Sequence, residues 1–192
     1  MPPKAKFSRE EIIDVALMIV KKNGFSRLTA RSLGEQLGSS SRPIFTVFEN
    51  MEEVQQEVMK AAKNIYKEYI QKGLSQKIPF KGVGMQYILF SIEEPKLFQL
   101  LFMKQNTNNP DIQGVLPLID ESYPQILESI ENEYGLDEAK SLKLYQHLWI
   151  YTHGIATLCA TKMCQFTSED IDHMISELFI SLLLNIKMGE RA

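Results

Sequence analysis

Apolar residues recur at intervals of three and four positions along almost the whole chain of 192 residues. This period places side chains on one face of an α-helix. No segment shows the alternation of apolar and polar residues that is typical of a strand. The pattern therefore predicts an all-α fold of about nine helices.

Capping residues bound the first two predicted helices. Ser8 and Glu11 have the spacing of a capping box, so we expect the first helix to begin there. Gly24 allows the backbone turn that ends this helix. Thr29 is a favourable N-cap for a second helix, which Gly38 ends.

A third short helix is predicted after a tight turn, with Ser39 or Ser40 as its N-cap. Pro43 falls in the first turn, where its missing N–H removes no intrahelical hydrogen bond. Three short helices joined in this way predict a helix-turn-helix, whose last helix fits the major groove of DNA. The positions predicted to face the DNA are Ser40, Ser41, Arg42, Phe45 and Thr46.

The rest of the chain predicts six longer helical segments. Pro95 suits a first helical turn after Glu94, and Ser168 is expected to cap the last helix. Pro117 and Pro124 predict a bend within one segment. The six segments span about 50–73, 80–92, 95–105, 110–133, 137–163 and 168–187.

Basic residues are concentrated at the N-terminus. Residues 1–50 contain eight Lys and Arg and five Asp and Glu, a net charge of +3, whereas the whole chain carries −3. A basic N-terminal segment joined to an acidic remainder suits a module that binds a polyanion, although a chance asymmetry of charge is an alternative. Thr29 and Arg31 suit phosphate contacts at the start of the second helix, and Lys4 and Lys6 suit an arm along the DNA.

Other classes of protein find little support in the sequence. No apolar run has the length of a membrane span, and because residues 1–6 contain no apolar stretch we expect no secretory signal. Cys159 and Cys164 lie five residues apart on a predicted helix, which disfavours a disulfide and favours a cytoplasmic setting. The spacing of His and Cys residues predicts no metal site, and neither a phosphate-binding loop nor a nucleophile elbow occurs. We therefore expect neither an enzyme nor a cofactor.

The segment TARSLGEQLGSSSRPIFTVFENMEEV resembles the DNA-binding region of the tetracycline-repressor (TetR) family. The resemblance implies a DNA-binding domain over residues 1–50, a connecting helix over about 50–73, and a ligand-binding and dimerisation domain over 51–192. Two positions depart from the family pattern: Phe45 replaces a tyrosine and Met51 replaces a lysine, both of which contact phosphate in the family. The matching residues are Thr29, Arg31, Leu37, Gly38, Ser40, Phe45 and Phe48.

The C-terminal part is rich in aromatic residues and methionine, which commonly line apolar pockets between helices. The stretches EEPKLFQLLFMK and LWIYTHGIATL also resemble segments of the family. Ordinary core packing is the alternative for any single ring. The residues predicted to contact a small apolar or aromatic ligand are Phe90, Phe98, Phe102, Tyr123, Tyr145, Trp149 and His153.

The last helix has an apolar stripe wider than one buried face needs, and the helix before it carries small residues. The family resemblance implies a homodimer with a four-helix interface made by these two helices. Burial within one chain is the alternative. The residues predicted at the interface are Gly154, Thr157, Leu178, Ile180, Leu182 and Leu184.

Together these features predict a ligand-responsive transcriptional regulator, a repressor that a ligand releases from a palindromic DNA operator. The alternatives are a helical module that binds a small molecule or a protein but no DNA, and an enzyme in the form of a small α-helical lid or binding protein with incidental catalysis.

Overall fold

The protein is all-α, as predicted. The computed structural model describes residues 6–104, 110–119 and 121–189, without the side chains of residues 113, 118 and 119. These residues form nine α-helices and two short 3₁₀ helices, and no strand occurs among them. No helix in the described ranges has the length and apolar character needed to cross a membrane.

The chain divides into two compact units. The N-terminal unit comprises the residues up to Ile65 together with Glu94–Lys104, and the C-terminal unit comprises Tyr66–Glu93 and the residues after Lys104. The N-terminal unit contains α1 (Arg9–Asn23), α2 (Ala30–Gln36), the first part of α3 (Met51–Leu74) and α5 (Pro95–Phe102). The C-terminal unit contains the end of α3, α4 (Pro79–Glu93), α6 (Ile112–Ile119), α7 (Tyr123–Tyr134), α8 (Glu138–Ala160) and α9 (Ser168–Met188).

The predicted caps of the first two helices are confirmed. Ser8 Oγ accepts from the Glu11 N–H, and the Glu11 carboxylate accepts from the Ser8 N–H. Thr29 caps α2 in the same reciprocal way with Ser32. Gly24 ends α1 with φ 87°, a backbone conformation that glycine adopts without steric cost. These hydrogen bonds join residues three positions apart, so the starts of both helices are stabilised without contacts from other helices.

The third predicted helix differs from the expectation. Residues 41–47 turn through successive bonds from each N–H to the carbonyl three residues earlier, and only Ile44–Thr46 form a 3₁₀ helix. Pro43 lies directly before the 3₁₀ helix, where its missing N–H removes no intrahelical bond. Ile44 and Phe48 are fully buried beneath the turn, so apolar burial holds it in place.

Two further boundaries differ from the predictions. The segment predicted over 110–133 forms two helices, α6 and α7, and Pro124 lies in the first turn of α7. Thr167, not Ser168, caps α9, because the Asp170 carboxylate three residues later accepts from the Thr167 N–H and completes a capping box.

In the C-terminal unit α4 packs against α7 and α8, and α8 packs against α6 and α9. The end of α3 approaches the start of α4 very closely. A Cβ atom on Gly82 would clash with the Gly73 carbonyl oxygen. Glycine at these positions allows backbone contact between the two helices. Helices α3, α4, α7, α8 and α9 surround the cavity described below.

Candidate functional site

The first candidate site is an exposed surface on residues 39–48, here called the recognition segment. Ser40, Arg42 and Thr46 are exposed there. The Thr46 hydroxyl donates to the Pro43 carbonyl at 2.7 Å, which orients the side chain and leaves its oxygen able to accept. Arg42 has neither a hydrogen bond nor an ion pair with the rest of the described chain. Its guanidinium is therefore available to an external acceptor.

The other predicted DNA contacts flank this segment. Arg31 is exposed and its Nε donates to the Glu35 carboxylate at 2.9 Å, so a phosphate would have to compete with that carboxylate. The Thr29 hydroxyl is engaged in the cap of α2. Lys6 Nζ donates to Ser39 Oγ at 3.0 Å, which places one basic residue beside the recognition segment. Lys4 lies outside the described residues.

The two departures from the family pattern occupy distinct positions. Phe45 is 43% exposed on the recognition segment, and its ring presents no hydrogen-bond donor. Met51 is the first residue of α3 and is half-buried. Neither side chain supplies a hydrogen-bond donor, so Ser40, Ser41, Arg42 and Thr46 are the polar groups that the segment offers at the predicted DNA-contact positions.

The recognition segment is held by close packing from behind. A Cβ atom on Gly34 of α2 would lie 2.9 Å from the Ser40 carbonyl carbon and 3.0 Å from the Ser41 nitrogen. At the far end, the Arg9 guanidinium lies over the Phe48 ring, 4.3 Å from its centroid. Arg9 also pairs with Glu53 at 2.8 Å, so α1 and the start of α3 meet beside Phe48. The turn is thus fixed at both ends.

The second candidate site is a cavity of 290 Å³ in the C-terminal unit. Helices α3, α4, α7, α8 and α9 all contribute to its wall, so residues far apart in sequence meet there. Aromatic rings make up much of this wall, which suits an apolar or aromatic ligand. The aromatic lining residues are Tyr66, Phe80, Tyr87, Tyr134, Tyr145, Trp149 and Phe179.

Ring contacts join several of these aromatic residues into one surface. The Phe80 ring centroid lies 6.0 Å from that of Tyr145 and 6.4 Å from that of Phe179. Phe179 in turn lies 4.9 Å from Tyr134. These distances lie in the range of favourable edge-to-face and tilted pairs, which hold the side chains in defined orientations.

The seven residues predicted to contact a ligand are divided between different surroundings. Tyr145 and Trp149 line the cavity, whereas the other five do not. Phe98 and Phe102 lie in the N-terminal unit with their rings 5.1 Å apart. Phe90 is fully buried against the rings of Tyr66 and Tyr69. A ligand role for the seven residues stays a prediction.

Tyr123 and His153 lie one residue behind the cavity wall. The Tyr123 ring contacts that of Tyr145 at 5.7 Å, and the His153 ring stacks on Trp149 at 4.9 Å. The Tyr87 hydroxyl and His153 Nδ1 are 2.8 Å apart. Burial lowers the pKa of His153, which favours a neutral ring whose Nδ1 accepts a hydrogen bond from the Tyr87 hydroxyl. His153 therefore positions two lining residues.

Two charged residues line the cavity, Lys81 and Glu133. Lys81 Nζ lies 2.6 Å from the carboxylate of Asp172, which is not itself a lining residue. Glu133 makes no ion pair in the described ranges. Burial raises the pKa of Tyr134, and the charge of Glu133 and a hydrogen bond between the two side chains raise it further, so the neutral phenol can donate to the Glu133 carboxylate.

Sequence reasoning missed most of the cavity. Tyr66, Phe80, Tyr134 and Phe179 lie on four different helices, and their spacing along each helix predicts only that they face inward. Glu133 lines the cavity but is also exposed on α7, and a charged residue on a helix is ordinarily part of the solvated face. No local pattern distinguishes these residues from core or surface positions.

The predicted interface residues lie on α8 and α9 and differ in exposure. Ile180 and Leu184 are each 55% exposed, and Gly154 is exposed on α8. Thr157, Leu178 and Leu182 are half-buried within the chain. Ile150, on α8, is also exposed. The two helices thus leave several large apolar side chains in contact with water.

Comparison with known proteins identifies a fold but no sequence relative. No protein-family model matches the sequence, and no curated protein matches it significantly. Among solved structures, a TetR variant from Acinetobacter baumannii AYE in complex with minocycline matches with a TM-score of 0.59. The match covers 95% of this chain and 98% of that chain, at 14% sequence identity. The chain shares the fold of that TetR protein. At this level of identity the likeness concerns the fold alone.

Proposed function

We propose that this protein is a DNA-binding transcriptional regulator controlled by a small ligand, and that it acts in the cytoplasm as a repressor. The observation that carries the proposal is the recognition segment, where Arg42 is exposed and unpartnered among the described residues near the start of the turn that follows α2. An aromatic cavity in a separate unit supports the ligand-binding part. The TetR-like fold supports the combination.

Arg42 is the residue that we expect to contribute most to sequence recognition. Its guanidinium can donate two parallel hydrogen bonds to guanine O6 and N7, or to a phosphate. Ser40, Ser41 and Thr46 can exchange hydrogen bonds with bases or phosphates on either side. Lys6 adds positive charge beside the segment, and Arg31 can do so when a phosphate displaces Glu35 from it; such charge favours DNA irrespective of its sequence.

A second copy of the chain completes the proposed regulator. We expect the exposed apolar residues of α8 and α9 to meet their counterparts across a two-fold axis. Such a dimer carries two recognition segments and therefore binds a palindromic operator. Ligand binding would favour a state in which their spacing no longer fits that operator, and the repressor would be released.

Selection of bound duplexes from random-sequence DNA tests DNA recognition. We expect an enriched palindrome whose affinity falls with increasing salt. Replacing Arg42 by Ala should weaken binding to it about tenfold to a hundredfold, the effect of losing one bidentate base contact. Arg27→Ala is the matched control, because Arg27 is exposed outside the recognition segment. No enrichment at low salt would contradict the proposal.

Light scattering at micromolar concentration tests the dimer separately. The wild-type protein should have twice the mass of one chain. Leu184→Glu places a charge on the exposed apolar face of α9 and should give monomers, whereas Glu177→Gln on the same helix should not. A folded wild-type protein with the mass of a single chain would contradict the proposed dimer.

The main alternative is a helical binding module that does not contact DNA. The cavity by itself favours this alternative, since an aromatic pocket can bind a small molecule in a protein that does not bind DNA. Ligand binding without any enriched duplex would support this alternative.

A further inference from the structure

The two charged groups that line the cavity differ in what balances them. The Lys81 ammonium is paired at 2.6 Å with Asp172, so its positive charge is largely compensated. The Glu133 carboxylate has no basic partner among the described residues. Of the two charged lining groups, the Glu133 carboxylate is therefore the one whose charge no ion pair balances.

The rings that form the wall favour a positive charge for an independent reason. The faces of Tyr, Trp and Phe rings are the negative ends of their quadrupoles and attract cations. Tyr134 brings these two features together, because it directly follows Glu133 in sequence and its ring contacts that of Phe179. A cation beside Glu133 therefore meets both a carboxylate and electron-rich rings.

We propose that the cavity takes organic cations: ligands whose apolar or aromatic body lies among Phe80, Tyr145 and Phe179 and whose positive charge lies beside Glu133. This inference rests on the proposed ligand-binding function and names the class of ligand. An anionic ligand would have to displace Asp172 from Lys81. A neutral ligand fits the rings but leaves the Glu133 charge without a cationic partner.

Three compounds of nearly equal size separate the alternatives: benzyltrimethylammonium, its neutral carbon analogue 2,2-dimethylpropylbenzene, and the anion phenylmethanesulfonate. Trp149 is the one tryptophan in the sequence and lines the cavity, so its fluorescence reports occupancy directly. We expect saturable quenching by the cation at lower concentration than by the anion. A preference for the anion would overturn the inference.

Glu133→Gln tests the carboxylate itself. The substitution keeps the size of the side chain and removes its charge. Cation affinity should fall about fivefold, as expected for one partly exposed charge contact, while the affinity for the neutral analogue stays unchanged. Glu128→Gln is the matched control, because Glu128 is an exposed carboxylate on α7 that does not line the cavity. An unchanged ratio of the two affinities in Glu133→Gln would overturn the inference.

Asp172→Asn provides a second test that does not touch the lining. It leaves the Lys81 charge uncompensated, so cation affinity should fall and anion affinity should rise. Circular dichroism establishes that each variant is folded. If the neutral analogue binds and charge has no effect, the regulator proposal stands and the cation inference fails. If none of the compounds quenches Trp149 fluorescence, the cavity does not bind ligands of this class. Failure of the DNA selection would contradict the proposed regulator function but would leave these binding measurements unaffected.

Discussion

The N-terminal unit presents its candidate site outward on exposed polar side chains, whereas the C-terminal unit encloses its candidate site between buried rings. Arg42 and Thr46 project from a turn whose shape depends on Gly34 and on the buried Phe48. In the C-terminal unit, Tyr87 and Tyr145 are themselves buried and also line the cavity. Binding groups and stabilising groups are therefore separate in the first unit and overlap in the second.

The two sites should differ in how well they tolerate amino-acid substitutions. A substitution at an exposed position alters binding with little effect on stability. A substitution in a cavity wall changes packing as well, so affinity and stability shift together. We therefore expect the recognition segment to accept new side chains more readily than the cavity does.

The largest expected effect comes from truncating a buried ring in the C-terminal unit. Phe90→Ala should lower the free energy of unfolding by about 3–5 kcal/mol, because Phe90 is fully buried against Tyr66 and Tyr69. Urea denaturation measures the change. Phe45→Ala is the counterpart in the N-terminal unit, where the exposed ring should contribute less than about 0.5 kcal/mol. Equal losses from the two substitutions would remove the contrast between the units.

The next effect concerns the support of the recognition segment. Gly34→Ala should destabilise the N-terminal unit by about 1–3 kcal/mol, because the new methyl group meets the backbone of Ser40 and Ser41. It should also weaken DNA binding, since Arg42 follows directly. Both are measured on one preparation, by urea denaturation and by retardation of the selected duplex.

Gly38→Ala is the control for this substitution. Gly38 has φ 64°, so alanine there costs about 1 kcal/mol of backbone strain, but an added Cβ has no neighbour within 4 Å. Stability should fall while affinity for the duplex changes less than in Gly34→Ala. If both variants bind equally well, the close approach of Gly34 does not position the segment.

Local interactions account for the parts of the structure that the sequence predicted. The caps at Ser8 and Thr29 each depend on residues three positions apart, so they are visible in the sequence. Thr167 and Ser168 are both good caps, and only the Asp170 side chain decides between them. The turn at residues 41–47 depends on burial of Ile44 and Phe48, which is a tertiary effect.

The cavity was harder to predict because periodicity indicates that a side chain faces inward but not what it meets. Trp149 and Phe98 look alike by this criterion, yet one lines the cavity and the other is fully buried in the N-terminal unit. Glu133 gave no signal, since the role proposed for it depends on Lys81 being paired with Asp172, a contact between α4 and α9. Contacts between different helices such as this one form only when the helices pack together, so no local sequence pattern indicates them.

The smallest expected effect is a difference in the acid sensitivity of the two units. Burial lowers the pKa of His153 below its ordinary value of 6.5, so the unfolded chain binds a proton more readily than the folded C-terminal unit. The resulting stability is present above pH 6.5 and is lost as the pH falls. In the N-terminal unit, the Glu49 N–H and then Arg9 lower the pKa of Glu53 below its ordinary 4.5, so that contribution persists until the pH falls below 4.5.

Thermal unfolding followed by Trp149 fluorescence should therefore show a midpoint that falls by a few degrees between pH 7 and pH 5. His153→Gln should flatten this dependence, because glutamine can still accept from Tyr87 but takes up no proton. His173→Gln, at an exposed position on α9, should retain it. If the His153 variant is as sensitive to acid as the wild type over this range, another group controls the C-terminal unit, and the contrast with the carboxylates around Arg9 disappears.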